Sequence, residues 1–375
     1  MRIFYAVGEA PSAGLLGSQI WRSNLYDSLV DLGHEVVEFD FDLEGCYAHA
    51  DPASAGNREY MDRVRPELEG ALLQQVRAAH VEKPVDVLFC YFYNSFCAPE
   101  TIREISSWGI ATFNWYCNGS YQFHLVEEIA PAFDWSLVPE RYRLDDYRRV
   151  GARPLYCQEA ANPTVYHSVE VPRDVDVAFV GAAYGDRPSY VRALADADLP
   201  VRAYGLGWER LAAPLSVGAR VRRGLGQVRR RIEGRPLHPP RLPGSVVASP
   251  LTDSEMVTMF SRAKIVLGFS VVGQPGPRDP IIRQVRLRDF EAPMSGAFYM
   301  LEYVDEIEDF FVPDKEIVCF ASPEELVDKA HFYLSHPEER EAIRAAGYER
   351  ALRDHTWQKR LSDAFTTSGV DRGTQ

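Results

Sequence analysis

The feature that most constrains this chain is a regular alternation of short apolar runs with longer amphipathic segments. The runs RIFYAVG (2–8), HEVVEFDF (34–41), VDVLFCYFY (85–93) and IATFNWY (110–116) are interleaved with helical patterns over 18–32 and 58–80. Runs of this length belong to strands buried on both faces, and the helical segments between them are the crossovers that a parallel sheet requires. After Pro163 the pattern restarts: VDVAFVG (175–181), a helix near 186–197, VRAYGLG (201–207), AKIVLGFS (263–270), GAFYMLE (296–302) and EIVCF (316–320). The expectation is an α/β chain of two doubly wound domains with a boundary near 160–174. The remainder is helical in pattern. Ser322 stands before Pro323, Glu324 and Glu325, an N-cap followed by proline and acids in the first turn, and His336-Pro337 divides that helix from the next.

With 375 residues, 46% of them hydrophobic, the chain is long enough for two separate cores. Its 54 acidic against 41 basic side chains leave a net charge of -13, which excludes nucleic acid as the main partner and requires any anionic ligand to meet a local basic cluster. Cys46, Cys90, Cys97, Cys117, Cys157 and Cys319 form no Cys-x-x-Cys pair and lack histidines at zinc-ligand spacing, so they read as reduced cytosolic thiols. The opening MRIFYAVGEA is interrupted by Gly8 and Glu9 and reads as a first strand rather than a signal peptide. No run approaches the roughly 18 apolar residues of a membrane span, and the expected location is cytoplasmic.

Residues 211–250 depart from the acidic background. They hold Arg220, Arg222, Arg223, Arg229, Arg230, Arg231, Arg235 and Arg241 against a single acid, Glu233. Two readings stand: a solvated surface insertion, or docking of 220–235 on a polyanion or an anionic membrane surface, the latter making the protein peripheral at the inner membrane face.

In doubly wound domains ligands lie beyond the carboxyl ends of the strands, and four stretches there hold candidate residues. The loop VGEAPSAGLLGSQ (7–19) lacks Gly-x-Gly-x-x-Gly spacing, so a nicotinamide cofactor is not expected. It is either an ordinary turn or an acceptor-facing loop in which Gly14 and Gly17 permit close backbone approach, with Ser18 beside them. In FVGAAYGDR (179–187), Gly181 ends a strand and Arg187 lies near a helix start, a combination suited to a diphosphate. In VRLRDFEAPMSGAFYMLE (285–302), Glu291 could accept hydrogen bonds from ribose hydroxyls, Arg283, Arg286 and Arg288 could meet a departing diphosphate, and Ser295 and Gly296 suggest a tight turn under a ligand. The competing reading is a structural Arg–Glu pair bracing the helix. In FNWYCNGSYQF (113–123), Asn118, Ser120, Trp115, Tyr116 and Tyr121 suit sugar stacking and hydrogen bonding, or else are aromatic core; His124 reads as a surface or capping residue.

Together, VRLRDFEAPMSGAFYMLE, the stretch DKEIVCF to WQKRL (314–361), and DVAFVGAAYGDR followed by YGLGW resemble the CgeB-type (spore maturation protein type) branch of the group 1 glycosyltransferases, over most of 174–361. The resemblance implies a GT-B fold, two Rossmann-like domains facing across a cleft. It assigns 1–165 to an acceptor domain, 166–350 to a nucleotide-sugar donor domain with the basic insertion at about 211–250, and 351–375 to a helix returning to the N-terminal domain plus a tail. It further implies a nucleoside diphosphate sugar as substrate, with no cofactor and no required metal. By motif match Glu291 takes the place of the ribose-binding glutamate and Arg288 that of the arginine three residues before it; Gly181 corresponds to the first glycine turn of the donor domain, and Gly205 in YGLGW joins the donor-binding set. Arg283 stands where many relatives have the first glutamate of a Glu-x7-Glu pair, which leaves the retaining or inverting outcome open, and Asn118 stands where members often carry an acid. The activity implied is sugar transfer to a glycan, lipid-linked or small-molecule hydroxyl. The alternatives are a nucleotide-sugar epimerase of the same fold and a non-catalytic glycan-binding or coat-assembly protein.

Overall fold

The structure, a computed structural model, describes residues 1–9, 15–233, 238–272 and 280–371. Gly14 and Arg235 therefore lie outside the described residues. The chain forms two units, one made of Met1–Pro11, Gln19–Asn162 and Thr356–Gln375, the other of Ser12–Ser18 and Pro163–His355.

The first unit is built on six parallel strands: β1 (Arg2–Ala6), β2 (Glu35–Glu38), β3 (Val87–Cys90), β4 (Ala111–Trp115), β5 (Trp135–Val138) and β6 (Pro154–Tyr156), in the order β2-β1-β3-β4-β5-β6. β3 is buried along its whole length, which explains why its sequence is continuously apolar rather than alternating. The helix Ala55–Glu82 buries Met61, Leu68, Leu72, Val76 and Ala79, spacings of three, four and seven that keep one stripe toward the core. The helix expected over 18–32 runs over residues 20–31, with a π-helical stretch at Arg22–Tyr26 before it continues as α-helix at Asp27–Asp31. Its start is held by the Glu9 carboxylate, which accepts from the backbone N–H of Trp21 at 3.1 Å and of Arg22 at 2.5 Å.

The chain's last helix, Trp357–Ser368, belongs to this first unit. Thr356 caps it by accepting from the Lys359 N–H, and Gly369 ends it at φ 76°. Trp357 is fully buried edge-on against Trp115 at 5.1 Å, and Phe365 meets Phe113 at 5.4 Å.

The second unit contains β7 (Val175–Val180), β8 (Val201–Tyr204), β9 (Val247–Ala248), β10 (Ala263–Gly268), β13 (Tyr299–Glu302) and β14 (Val318–Phe320), all parallel in the order β14-β13-β10-β7-β8-β9. A short antiparallel hairpin, β11 (Val271–Val272) and β12 (Ile282–Arg283), leaves the end of β10. The chain winds outward in opposite directions from β7 and β10, so a crevice opens between the carboxyl ends of those two strands. Gly268 closes β10 because no other residue fits: a Cβ there would lie 2.0 Å from the Tyr299 hydroxyl. Thr252 and Glu255 form a capping box at the start of helix Asp253–Arg262, and Ser322 caps Pro323–Ser335 as expected. All six cysteines are buried and unpaired. Among the described residues no helix is long and apolar enough to cross a membrane.

Because Trp357 anchors the final helix with no exposed surface, Trp357→Ala should lower the stability of the first unit by about 3–5 kcal/mol. Urea unfolding followed by far-ultraviolet circular dichroism measures this, and Trp357→Phe should recover part of the loss.

Candidate functional site

A polar cluster of the second unit lies at the β7/β10 crevice. Arg187, at the start of helix Arg187–Asp196, and Arg286, after β12, both donate to the Tyr184 hydroxyl, each at 2.6 Å. Arg187 also donates to the Ala182 carbonyl at 3.1 Å, and its guanidinium lies over the Tyr184 ring at 3.8 Å. Arg286 reaches the Val271 carbonyl at 3.4 Å, which ties the pair to β11 of the hairpin beyond β10. Two guanidinium groups on one hydroxyl repel each other. Burial first, and Arg286 second, depress Arg187 to about 10.

The Gly181 turn contributes less than its sequence suggested. The Gly181 N–H donates to the Tyr204 carbonyl at 2.8 Å, its carbonyl accepts from Trp208 Nε1 at 2.7 Å, and the Ala183 N–H is taken by Leu206. Pro188 at the second helical position removes one further amide donor. The backbone amides of this turn are thus mostly spent on holding the loop, and arginine side chains carry the positive charge. Gly205 is explained by packing: it sits at φ 135°, and a Cβ would fall 2.4 Å from the Gly181 carbonyl oxygen.

Helix Arg288–Met294 runs from this carboxyl edge down toward the start of β13. Arg288 and Glu291 share one face, as their spacing predicts, and pair at 2.5 Å; Arg288 also touches Met256 and lies over the Phe260 ring. Glu291 is fully buried and hydrogen-bonded to the Tyr166 hydroxyl, whose pKa is driven up by burial and then by the glutamate. Asp289, also buried, accepts from the Arg286 N–H at 2.8 Å and from the Tyr299 hydroxyl at 2.7 Å. Arg283 is engaged by Glu302, whose Oε1 it contacts through Nε at 3.2 Å and Nη2 at 3.1 Å, while Oε2 accepts from the N–H groups of Ser270 and Val271.

Ser295 and Gly296 need correction. They precede β13 and so lie at the amino edge of the sheet, opposite the crevice. The Ser295 carbonyl accepts from Ser261, the Gly296 carbonyl accepts from Arg173, and Gly296 at φ 73° leaves room only for the Ser168 side chain. Their tight turn sits under neighbouring loops of the fold rather than under a ligand.

In the first unit the carboxyl ends of β1 and β3 carry a tyrosine cluster. Tyr47 accepts from the Gly8 N–H and donates to the Tyr91 carbonyl; Asn118 Nδ2 donates to the Tyr91 hydroxyl at 3.1 Å, and the Tyr121 hydroxyl donates to Asn118 Oδ1 at 3.0 Å. Trp115 and Tyr116 are buried among these rings and serve as core. His124 lines a separate hollow of about 270 Å³ with His49, Arg58, Asp62 and Asn94. The candidates Gly17 and Ser18 do not join Asn118: after Leu15 bridges Leu251, they group with the second unit. Tyr184 and Tyr166 were not singled out in the sequence, although Tyr184 lies between Gly181 and Gly185 in a loop, where an aromatic has no core-facing pattern to follow.

Residues 187–366 match a family model described as glycosyl transferase-like, a span that takes in most of the second unit and part of the last helix. No curated protein matches the sequence. Among solved structures the chain is similar to a sucrose-phosphate synthase from Thermosynechococcus elongatus (TM-score 0.57, 13% identity, 99% of each chain covered). It is similar also to Anabaena Alr3699/HepE in complex with UDP and glucose (TM-score 0.56, 10% identity, 98% of this chain and 100% of that one). A third is an alpha-glucosyltransferase in complex with UDP-glucose and DNA containing an abasic site (TM-score 0.60, 12% identity, 98% and 99%). The fold is therefore GT-B.

Asp289 offers a test of the buried cluster. Burial raises its carboxyl from the ordinary 3.8 to about 6, against the pull of Tyr299, the Arg286 N–H and the two nearby arginines. Its neutral form is favoured in the folded state, so that contribution is fully present below about pH 4 and is lost as pH rises through 6. The gap corresponds to about 3 kcal/mol. Stability measured from pH 4 to 7 should fall more steeply for the wild type than for Asp289→Asn, and identical slopes would remove Asp289 as the titrating group.

Proposed function

We propose that this chain, a GT-B fold whose residues 187–366 are glycosyltransferase-like, transfers a sugar from a nucleoside diphosphate sugar to a hydroxyl of a glycan, lipid-linked or small-molecule acceptor. The observation that carries the reading is the convergence of Arg187 and Arg286 on the Tyr184 hydroxyl at the β7/β10 crevice. A diphosphate placed against two guanidinium groups relieves their mutual repulsion and offers oxygens that match the planar fork of each. The CgeB-type branch is supported by the segment Arg288–Gly296, in which arginine, glutamate and glycine stand at the spacing of that resemblance.

In this reading the donor diphosphate lies on Arg187 and Arg286, with Arg288 beside it at the head of its helix. Glu291, oriented by Arg288 and Tyr166, takes the ribose hydroxyls. Negative charge grows on the departing diphosphate as the glycosidic bond breaks, so arginines fixed in advance stabilise the transition state more than the bound donor. These cations fill the role a metal plays elsewhere, and the reaction is written without one. Arg283, tied to Glu302, supports the hairpin after β10. On the acceptor side, Asn118 and its tyrosines supply the hydrogen bonding and flat apolar surface that sugars favour. Uridine nucleotides are the first donors to try, since two of the similar structures hold UDP or UDP-glucose. The unpaired cysteines suit a reducing, cytoplasmic setting.

A thermal-shift panel of uridine, guanosine, thymidine and adenosine diphosphates tests the donor site. One nucleotide at 100 times its dissociation constant should stabilise the protein by about 2.7 kcal/mol, and Arg286→Ala should abolish that shift. A panel with no response overturns the reading. With the donor identified, Arg288→Ala should lower turnover about a hundredfold, roughly 3 kcal/mol, and Arg288→Lys should recover only part because it lacks the fork. Glu291→Gln separates the two roles of the pair: lost nucleotide binding at near-normal melting supports the ribose contact, whereas normal binding with much earlier melting makes the pair a brace.

A further inference from the structure

The helix Val217–Ile232 is amphipathic in the wrong sense for a globular surface. It buries none of its residues. Its large apolar side chains, Val217, Val221, Leu225, Val228 and Ile232, are 75%, 58%, 67%, 59% and 81% exposed. At 3.6 residues per turn all five fall within an arc of about 80°, a continuous stripe along the helix. The side facing the rest of the unit is the polar one. Gln227 exchanges hydrogen bonds with the backbone N–H and carbonyl of His238, Arg223 donates to the Pro239 carbonyl, and Gly226 lies against the His238 ring. These anchors sit opposite the stripe on the helical wheel. Surface helices ordinarily turn the apolar face inward, so this one is mounted with its apolar face outward.

Charge identifies what covers it. Arg222 and Arg229 flank the stripe on one side, Arg220 and Arg231 on the other, in a chain whose net charge is -13. The helix carries six arginines and no acid; Glu233 follows it and pairs with Arg229. A second copy docked stripe to stripe would bring two arginine rims together, which like-charge repulsion opposes. An anionic bilayer accepts both features, since the apolar side chains enter the boundary between headgroups and acyl chains while the arginine stems lie along it and their heads meet lipid phosphates.

We infer that Val217–Ile232 is an in-plane membrane anchor, seating the second unit on an anionic lipid surface through its outward apolar stripe and the arginines on either side. The juxtaposition is specific: apolar stripe out, arginines at its margins, polar anchoring face in. A helix of 16 residues with six arginines lies in the interface and does not span it.

The test uses the whole chain and sedimentation with phosphatidylcholine vesicles, with and without roughly one-third phosphatidylglycerol. Binding to the anionic vesicles should exceed binding to phosphatidylcholine alone by at least about tenfold and weaken as salt is raised. Leu225→Asp, and separately the pair Arg222→Glu and Arg231→Glu, should each lower it by about tenfold or more. None of these side chains is buried, so melting temperature and circular dichroism should not change. Absence of binding at low salt, equal binding to both vesicle types, or undiminished binding by Leu225→Asp each overturns the inference. So does a dimer in sedimentation velocity that Leu225→Asp splits while vesicles are ignored, since a second copy would then be the occupant.

Discussion

A parallel sheet covered by helices on both faces has no wet surface of its own, so polar side chains must be gathered where its strands end. In the second unit this concentrates charge at one crevice. β7 and β10 diverge, the loops beyond them are kept apart by their crossovers, and Tyr184, Arg187 and Arg286 meet in the gap. The same geometry puts Ser295 and Gly296 out of reach, because the turn that feeds a strand lies at the other edge from the turn that leaves it.

Bringing charge to a strand end has a cost in lost hydration, and each buried carboxylate of this region is matched in its own way. Glu291 has a guanidinium and a phenol. Glu302 divides its oxygens between Arg283 and two backbone amides. Asp289 has an amide and a phenol as direct donors, and burial pushes its carboxyl upward, to about 6. The two arginines on Tyr184 are the complementary case, positive groups crowded together. Burial and the neighbouring guanidinium together lower the pKa of Arg187 to about 10.

Much of the architecture was legible from periodicity, since β1, β3, β4, β7, β10 and β13 are short, mostly apolar runs that suit a doubly covered sheet. β6, Pro154–Tyr156, was not: three half-buried residues at a sheet edge carry no pattern, and proline there is tolerated because nothing pairs beyond it. Within the site, the pairing of Arg288 with Glu291 followed from helical spacing. Arg187 and Arg286 were visible as charges near strand ends, but their meeting at Tyr184 was not, because 102 residues separate Tyr184 from Arg286 and only the sheet order unites them. Glycines were the least legible. Gly205 and Gly296 each make room for a neighbouring part of the chain, the Gly181 carbonyl and the Ser168 side chain, which no local pattern announces.

The burial of every cysteine bears on how the protein withstands chemical stress. Thiols react as thiolates, and burial raises the pKa of all six, with Cys46 near 11 and Cys157 and Cys319 near 12. At neutral pH almost none is ionised, and none is exposed to a diffusing oxidant. Peroxide and disulfide reagents that attack exposed thiolates therefore find little to react with at these six positions.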